Sequence, residues 1–184
     1  LVKISPTMNV ILLLAMITIS ALVILVTLSR KFSHRFYPLV LSVIAITLLF
    51  HVSLVTNYVH QGDNLPEYRT LLLTERNERW DSTIPPILTM NAPYNSMLSL
   101  TILPTIYTSL LNMDAIWVLK IVYSLFFSLV PLGLYKLHET RVGKQVAFLS
   151  VFFFIANGTF FTEMLGLARQ MVAELFFVLL FLVL

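Results

Sequence analysis

Two acidic residues, Asp63 and Glu67, stand four positions apart in the sequence GDNLPEY. On a helix this spacing brings both carboxylates to one face, where they can hold a divalent cation through oxygen ligands. Alternatively, one carboxylate can remove a proton from an acceptor hydroxyl. A third interpretation is structural, with one acid capping a helix and the other solvated in a loop. The spacing alone leaves the three interpretations open.

Three more charged residues have types that suit a membrane surface. Lys120 lies near the start of an apolar run, where it can snorkel to the interface or bind either a lipid phosphate or an acid of the outer loops. Arg169 carries the planar guanidinium that binds phosphate groups in a forked geometry. Glu163 lies six residues before it, so a stabilising pair between Glu163 and Arg169 is the structural alternative.

The composition predicts that membrane helices must position these residues. The chain is 58% hydrophobic and only 11% charged, whereas soluble domains carry about 25% charged residues. It has no cysteine, which excludes disulfides and thiolate metal sites. No basic cluster is large enough to favour binding of nucleic acid. The predicted fold class is therefore an all-α integral membrane protein in the cell membrane.

Apolar runs long enough to cross a bilayer predict about five transmembrane helices. They cover approximately residues 8–28, 38–56, 116–137, 146–161 and 169–184. We expect a single helical membrane domain over 1–184, with its last helix truncated and more of the protein following it.

The segment 57–114, between the second and third predicted spans, is expected to lie outside the cytoplasm. The basic turns RKFSHR and HETRVGK fall on one side of the membrane if the apolar stretch within this segment does not cross. The positive-inside rule makes that side cytoplasmic. We predict interfacial helices in the segment at about 64–79 and 95–111.

The first interfacial helix has a local signal for its start. Asn64 is predicted to cap it, with Glu67 as the reciprocal partner of a capping box. Its apolar face is predicted to comprise Leu65, Tyr68, Leu71 and Leu72. The preceding turn then places Asp63 at the outer boundary of the bilayer.

The order of these features resembles the GT-C superfamily of membrane glycosyltransferases. One span, a basic turn, a second span and then GDNLPEY match the start of that fold, which places an essential acid early in its first outer loop. The blocks YNSMLSLTILPTIYTSLL, WVLKIVYSLFFSLVPLGLY and ARQMVAELFF are similar to a family of predicted archaeal membrane proteins with a GT-C-like amino-terminal half. The resemblance covers roughly Leu48 to Leu184.

The resemblance implies an inverting transfer of a sugar from a polyprenyl-phosphate donor to a glycan, lipid or protein acceptor on the extracytoplasmic face. Asp63 would be the catalytic base or a metal ligand, supported by Glu67. Lys120 and Arg169 would hold phosphate, and Glu163 would bind substrate or join Asp63 on a divalent cation, Mg²⁺ or Mn²⁺. The chain lacks the Asp-x-Asp pair seen in many such enzymes.

Two other classes of protein remain open at this point. A transporter or flippase of lipid-linked substrates would place polar groups near the midplane of the membrane, on interrupted helices. A noncatalytic membrane subunit or scaffold would need no reactive group at all.

Overall fold

The computed structural model describes Ala21 and residues 33–59, 63–81, 83 and 93–184. Of these described residues, 81% are helical and none forms a strand, which confirms the all-α prediction. In chain order the helices are α1 (Tyr37–Ser53), α2 (Asn64–Arg76), α3 (Ile102–Leu111), α4 (Ala115–Val142), α5 (Lys144–Ala156) and α6 (Ala168–Val183). The predicted span at 8–28 lies outside the described residues.

Two of the described helices are long and apolar enough to cross a membrane. They are α1, with the 3₁₀ turn that precedes it (His34–Ser53), and α4 (Ala115–Val142). A third candidate is α5 together with Thr159–Gly166, which meet at a bend of 56°. With 16 residues, α6 is shorter than these. The described part of the chain therefore contains two to three candidate spans.

The packing of α1 shows why a membrane helix has no polar face. Tyr37, Leu41, Ala45 and Leu49 recur every fourth residue and are fully buried against the other helices. The opposite side carries Leu39 and Val43, which are more than half exposed. A helix that is apolar all round is typical of a membrane span, where lipid surrounds the outward face.

The helices run between two ends of the bundle, which the contacts define. At the basic end, formed by residues 33–37 and 138–148, the ring of Tyr37 lies 4.4 Å from that of Phe148. At the loop end, formed by residues 53–59, 63–81, 93–122 and 156–170, Lys120 donates a hydrogen bond to the carbonyl of Thr56. The described part of the first basic turn, residues 33–35, thus lies at the same end as the second, and both lie opposite α2.

The stretch predicted as an interfacial helix at 95–111 includes α3, which begins only at Ile102. With ten residues, α3 is about 15 Å long at the usual rise per residue, too short to cross. It runs beside the first turns of α4, where the rings of Tyr107 and Phe126 lie 5.7 Å apart. Asn112, in the left-handed region at φ 47°, ends the helix and turns the chain into α4.

The bend after α5 has a local cause. Asn157 adopts an extended backbone conformation, which stops the helix. Its side-chain oxygen accepts a hydrogen bond of 3.1 Å from the backbone N–H of Thr159, which starts a π-helical turn (Thr159–Glu163). The fourth predicted span is therefore two helical pieces at an angle rather than one rod.

Candidate functional site

The first turn of α2 packs on the first turn of α6 at the loop end. Asp63 is the residue before α2, and Glu67 lies one turn later on the side that faces the bundle. Arg169 is the second residue of α6. Residues separated by about one hundred positions in sequence are therefore neighbours in the fold.

Arg169 binds both acids of the predicted pair. Its Nη2 lies 2.6 Å from Oδ2 of Asp63, and its Nη1 donates a hydrogen bond to Oε1 of Glu67. The side chain of Glu67 is fully buried, that of Arg169 is 23% exposed, and that of Asp63 is 46% exposed. We call Asp63, Glu67, Arg169 and Tyr94 the acid–arginine cluster.

The predicted capping box at the start of α2 is wrong. Asn64 is the first residue of the helix, and no side chain caps α2. Instead, Asn64 Oδ1 and Glu67 Oε2 both accept hydrogen bonds from the backbone N–H of Ala168, at 3.1 and 2.9 Å. Because α6 has no side-chain cap of its own, α2 supplies the acceptors that its free N–H groups require.

The predicted apolar face of α2 is divided between the bundle and the outside of the protein. The residues buried against the bundle are Asn64, Glu67, Thr70, Leu71 and Thr74. Of the predicted apolar face, Leu65 and Leu72 are exposed. The helix therefore turns polar residues inward: Asn64 and Glu67 find hydrogen-bond partners at the start of α6 and the turn before it, whereas Thr70 and Thr74 donate to the backbone of α2 itself.

Tyr94 is a residue of the cluster that the sequence did not predict. The guanidinium of Arg169 lies 5.0 Å from the centre of its ring, within range of a cation–π interaction. Its hydroxyl lies close enough to the Asp63 carboxylate to help lower the pKa of that group. A tyrosine in an apolar loop is usually taken for an interfacial anchor, so only the fold reveals this role.

The two acids differ in their electrostatics. The hydrogen bond from Arg169 holds the pKa of Asp63 below its usual value, so this carboxylate is ionised throughout the physiological range. Burial raises the pKa of Glu67 to about 7, in spite of the opposing influence of Arg169. Asp63 is thus a reachable, permanently charged acceptor, whereas Glu67 is a buried group that titrates near neutrality.

Lys120 does not join this cluster. It lies in a π-helical stretch of α4 (Val118–Val122), is 7% exposed, and its Nζ lies 5.5 Å from the ring centre of Trp117. The side chain of Asn64, which donates a hydrogen bond to the carbonyl of Leu165, lines the cavity next to Lys120. Asn64 therefore lies between this cavity and the acid–arginine cluster, where it bonds Ala168.

Glu163 lies apart from both the acid–arginine cluster and the cavity beside Lys120. It ends the π-helical turn after α5, is exposed, and makes no ion pair with Arg169 or any other described residue. Within the described ranges, no three His, Asp or Glu side chains are close enough to hold a metal ion. Because the Asp63 carboxylate is already paired with Arg169, these residues do not fit a divalent cation.

The cluster can orient one exposed carboxylate at the rim of the bundle. Arg169 fixes the direction of Asp63 and keeps it charged. Glu67 anchors the arginine in turn and is itself held by the backbone N–H of Ala168. Such a carboxylate can accept a hydrogen bond from a hydroxyl or amine of a bound molecule.

Comparison with protein-family models, with curated proteins and with solved structures finds nothing that matches this chain.

Proposed function

We propose that this chain is part of a membrane glycosyltransferase of the GT-C type. In this proposal it transfers a sugar from a polyprenyl-phosphate donor to a glycan, lipid or protein acceptor on the extracytoplasmic face. The observation that carries the proposal is the position of Asp63. Its carboxylate is half-exposed, is held by Arg169 at 2.6 Å, and lies at the end of the bundle opposite the basic turns.

This position suits a reaction whose donor is a lipid. The tail of such a donor stays in the bilayer, so its phosphosugar can react only at the height of the membrane surface. Leu65 and Leu72, exposed on the outward side of α2, give that helix an apolar contact with lipid or with the donor. The start of α2 then keeps Asp63 at the same height.

In the proposed reaction Asp63 accepts a hydrogen bond from the acceptor group. The acceptor oxygen or nitrogen attacks the anomeric carbon, the bond from that carbon to the phosphate oxygen breaks, and the phosphate leaves with the electron pair. The proton of the acceptor passes to the Asp63 carboxylate as the new bond forms. Because the pKa of Asp63 is lowered, proton transfer is late, and orientation contributes more than basicity.

The experiment is a transfer assay with a radiolabelled polyprenyl-phosphate sugar and membranes that contain the full protein. We expect Asp63→Asn to lower the rate by about 100-fold or more, the usual contribution of a positioned acid or base. Asp81→Asn is the matched control, because Asp81 is another acid of the same segment whose carboxylate accepts hydrogen bonds from Thr83 and lies outside the cluster. Equal rates in the wild type and Asp63→Asn would refute the assignment of Asp63.

A second candidate is a noncatalytic membrane subunit, and one observation favours it. Arg169 is bound by both acids, and Glu67 also caps α6, so the whole cluster has a structural explanation. In that case the full protein transfers no sugar, and substitutions in the cluster change only stability. The transfer assay therefore separates the two candidates.

A further inference from the structure

A small cavity lies beside Lys120, between the end of α1, the chain that follows it and the start of α4. Its volume is about 20 Å³, which is room for roughly one water-sized particle. The residues that line it include Ser53, Thr56, Asn64 and Lys120 as polar groups and Val52 and Leu119 as apolar walls. Tyr58, which is 80% exposed, lies at its rim, so the cavity is next to the surface of the loop end.

The cavity is lined by two hydrogen-bond donors, the Lys120 ammonium and the Ser53 hydroxyl, that the described residues satisfy only in part. The Lys120 ammonium is 7% exposed and carries three donors, but its hydrogen-bond acceptors are the carbonyl and hydroxyl oxygens of Thr56. The hydroxyl of Ser53 is buried at 5% exposure and has no partner among the described residues. Both groups line the same cavity.

The charge of Lys120 is also uncompensated. No Asp or Glu of the described chain lies within ion-pair distance of it, since the ion pairs found there involve Lys136 and Arg169. Asp63 and Glu67 are both bound to Arg169, and Asp114, at the start of the same helix, makes no ion pair with Lys120. Burial of an unpaired charge costs several kcal/mol, which a bound counter-ion would offset.

We propose that this cavity binds one small monovalent anion, of the size of chloride. Lys120 supplies the positive charge, and the Ser53 hydroxyl donates a second hydrogen bond to the anion. The volume excludes a whole phosphate or carboxylate group. A single water would satisfy Ser53 but would leave the charge of Lys120 uncompensated. The site is separate from the acid–arginine cluster and does not depend on the proposed transferase function.

The position of Trp117 provides a direct test. The chain contains two tryptophans, and the ring centre of Trp117 lies 5.5 Å from Lys120 Nζ. In the Trp80→Phe protein, the emission of Trp117 alone is recorded during titration with bromide at constant ionic strength. Because bromide is a heavy-atom quencher, a bound bromide lowers this emission along a saturable curve. Chloride, which quenches little, is expected to reverse the loss by competition.

Substitutions in the same background assign the site. We expect Lys120→Met to abolish the saturable phase and Ser53→Ala to weaken bromide binding about tenfold, the loss expected for one hydrogen bond to a charged group. Lys136→Met is the control, because Lys136 is an exposed lysine of the same helix with its own acid, Glu139, at 2.5 Å. This control is expected to keep the saturable phase unchanged.

The bromide titrations can overturn the proposed anion site in two ways. Quenching that rises linearly with bromide, or that is the same in Lys120→Met and Lys136→Met, means that water fills the cavity and overturns the proposal. If Lys120→Met does not fold, the Ser53→Ala titration decides, and unaltered affinity there also overturns it.

Discussion

Glu67 and Arg169 form an ion pair in which the Glu67 carboxylate is fully buried and the arginine is partly exposed. Removal of charges from water is costly, so such a pair adds little stability compared with well-packed apolar residues. Removal of only one partner is different, because the other charge then stays buried without compensation. The pair therefore fixes where α2 sits on α6 more than it strengthens the fold.

We expect Arg169→Met to lower the free energy of unfolding by about 3–5 kcal/mol at pH 8, where Glu67 is ionised in the folded protein and the substitution leaves its carboxylate unpaired. The double variant Glu67→Met/Arg169→Met should be more stable than Arg169→Met alone, and denaturant titration in detergent measures both. Lys136→Met, which breaks a pair whose lysine is 66% exposed, should cost about 1 kcal/mol or less. A double variant that is no more stable than Arg169→Met would contradict the pairing of the two side chains.

The titration of Glu67 makes stability depend on pH. The pKa of Glu67 is about 7 in the folded protein and its ordinary value is 4.5, so the folded state keeps a proton that the unfolded state releases. Between these values stability falls as pH rises, by up to about 1.4 kcal/mol per pH unit, and it is level above pH 7. The Asp63 carboxylate has the opposite effect, because its pKa is lowered by folding. Its contribution to stability is lost only as the pH falls below 3.8, the usual pKa of an aspartate.

Glu67→Gln should remove this dependence, because its amide does not titrate in this range. Unfolding measured between pH 5 and pH 8 is expected to show a falling stability in the wild type and a flatter curve in the variant. Glu75→Gln, on the same helix, is the control and should keep the slope of the wild type. A wild-type curve that is flat over this range would contradict the assignment.

At the scale of the helices, the sequence predicts where a helix forms better than it predicts which residues that helix contacts. The spacing of Asn64 and Glu67 indicates a helix start, and a helix does begin at Asn64. The prediction of a local capping box from the same spacing is wrong. A local pattern does not show that a helix about one hundred residues later needs the side chains of Asn64 and Glu67 as acceptors. For the same reason the sequence paired Arg169 with Glu163 as the structural alternative, whereas the fold pairs it with Asp63 and Glu67.

One glycine determines how closely α4 and α6 approach. A Cβ atom added to Gly133 would lie 2.3 Å from Cγ1 of Val178, far inside van der Waals contact. We expect Gly133→Ala to destabilise the protein by about 1–3 kcal/mol, the usual cost of overpacking. Adding Val178→Ala should recover part of that loss, as thermal unfolding in detergent would show.

Gly158 provides the matched control for this substitution. A Cβ atom there meets nothing within 4 Å and its φ is −53°, so Gly158→Ala should be nearly neutral. If Gly133→Ala were equally neutral, α4 and α6 would not be in the described contact.

For the whole molecule, composition predicts the membrane class and the helical fold but not the number of spans. The described residues contain two to three candidate spans, against the five predicted from apolar runs over the full chain. The length of an apolar run does not reveal that Asn157 divides the fourth predicted span into two helical pieces, which meet at a bend of 56°. Nor does it reveal which apolar face meets lipid and which meets protein, since both are hydrophobic.

The placement of Asp63 opposite the basic turns is the central claim, and labelling of introduced cysteines tests it most directly. The chain has no cysteine of its own, so Glu163→Cys and Arg141→Cys each introduce a single exposed thiol, at the loop end and the basic end respectively. We expect a membrane-impermeant maleimide, added to intact cells, to label Glu163→Cys and to label Arg141→Cys only after the cells are lysed. Labelling of both thiols from the same side of the membrane would contradict the fold and the proposed function together.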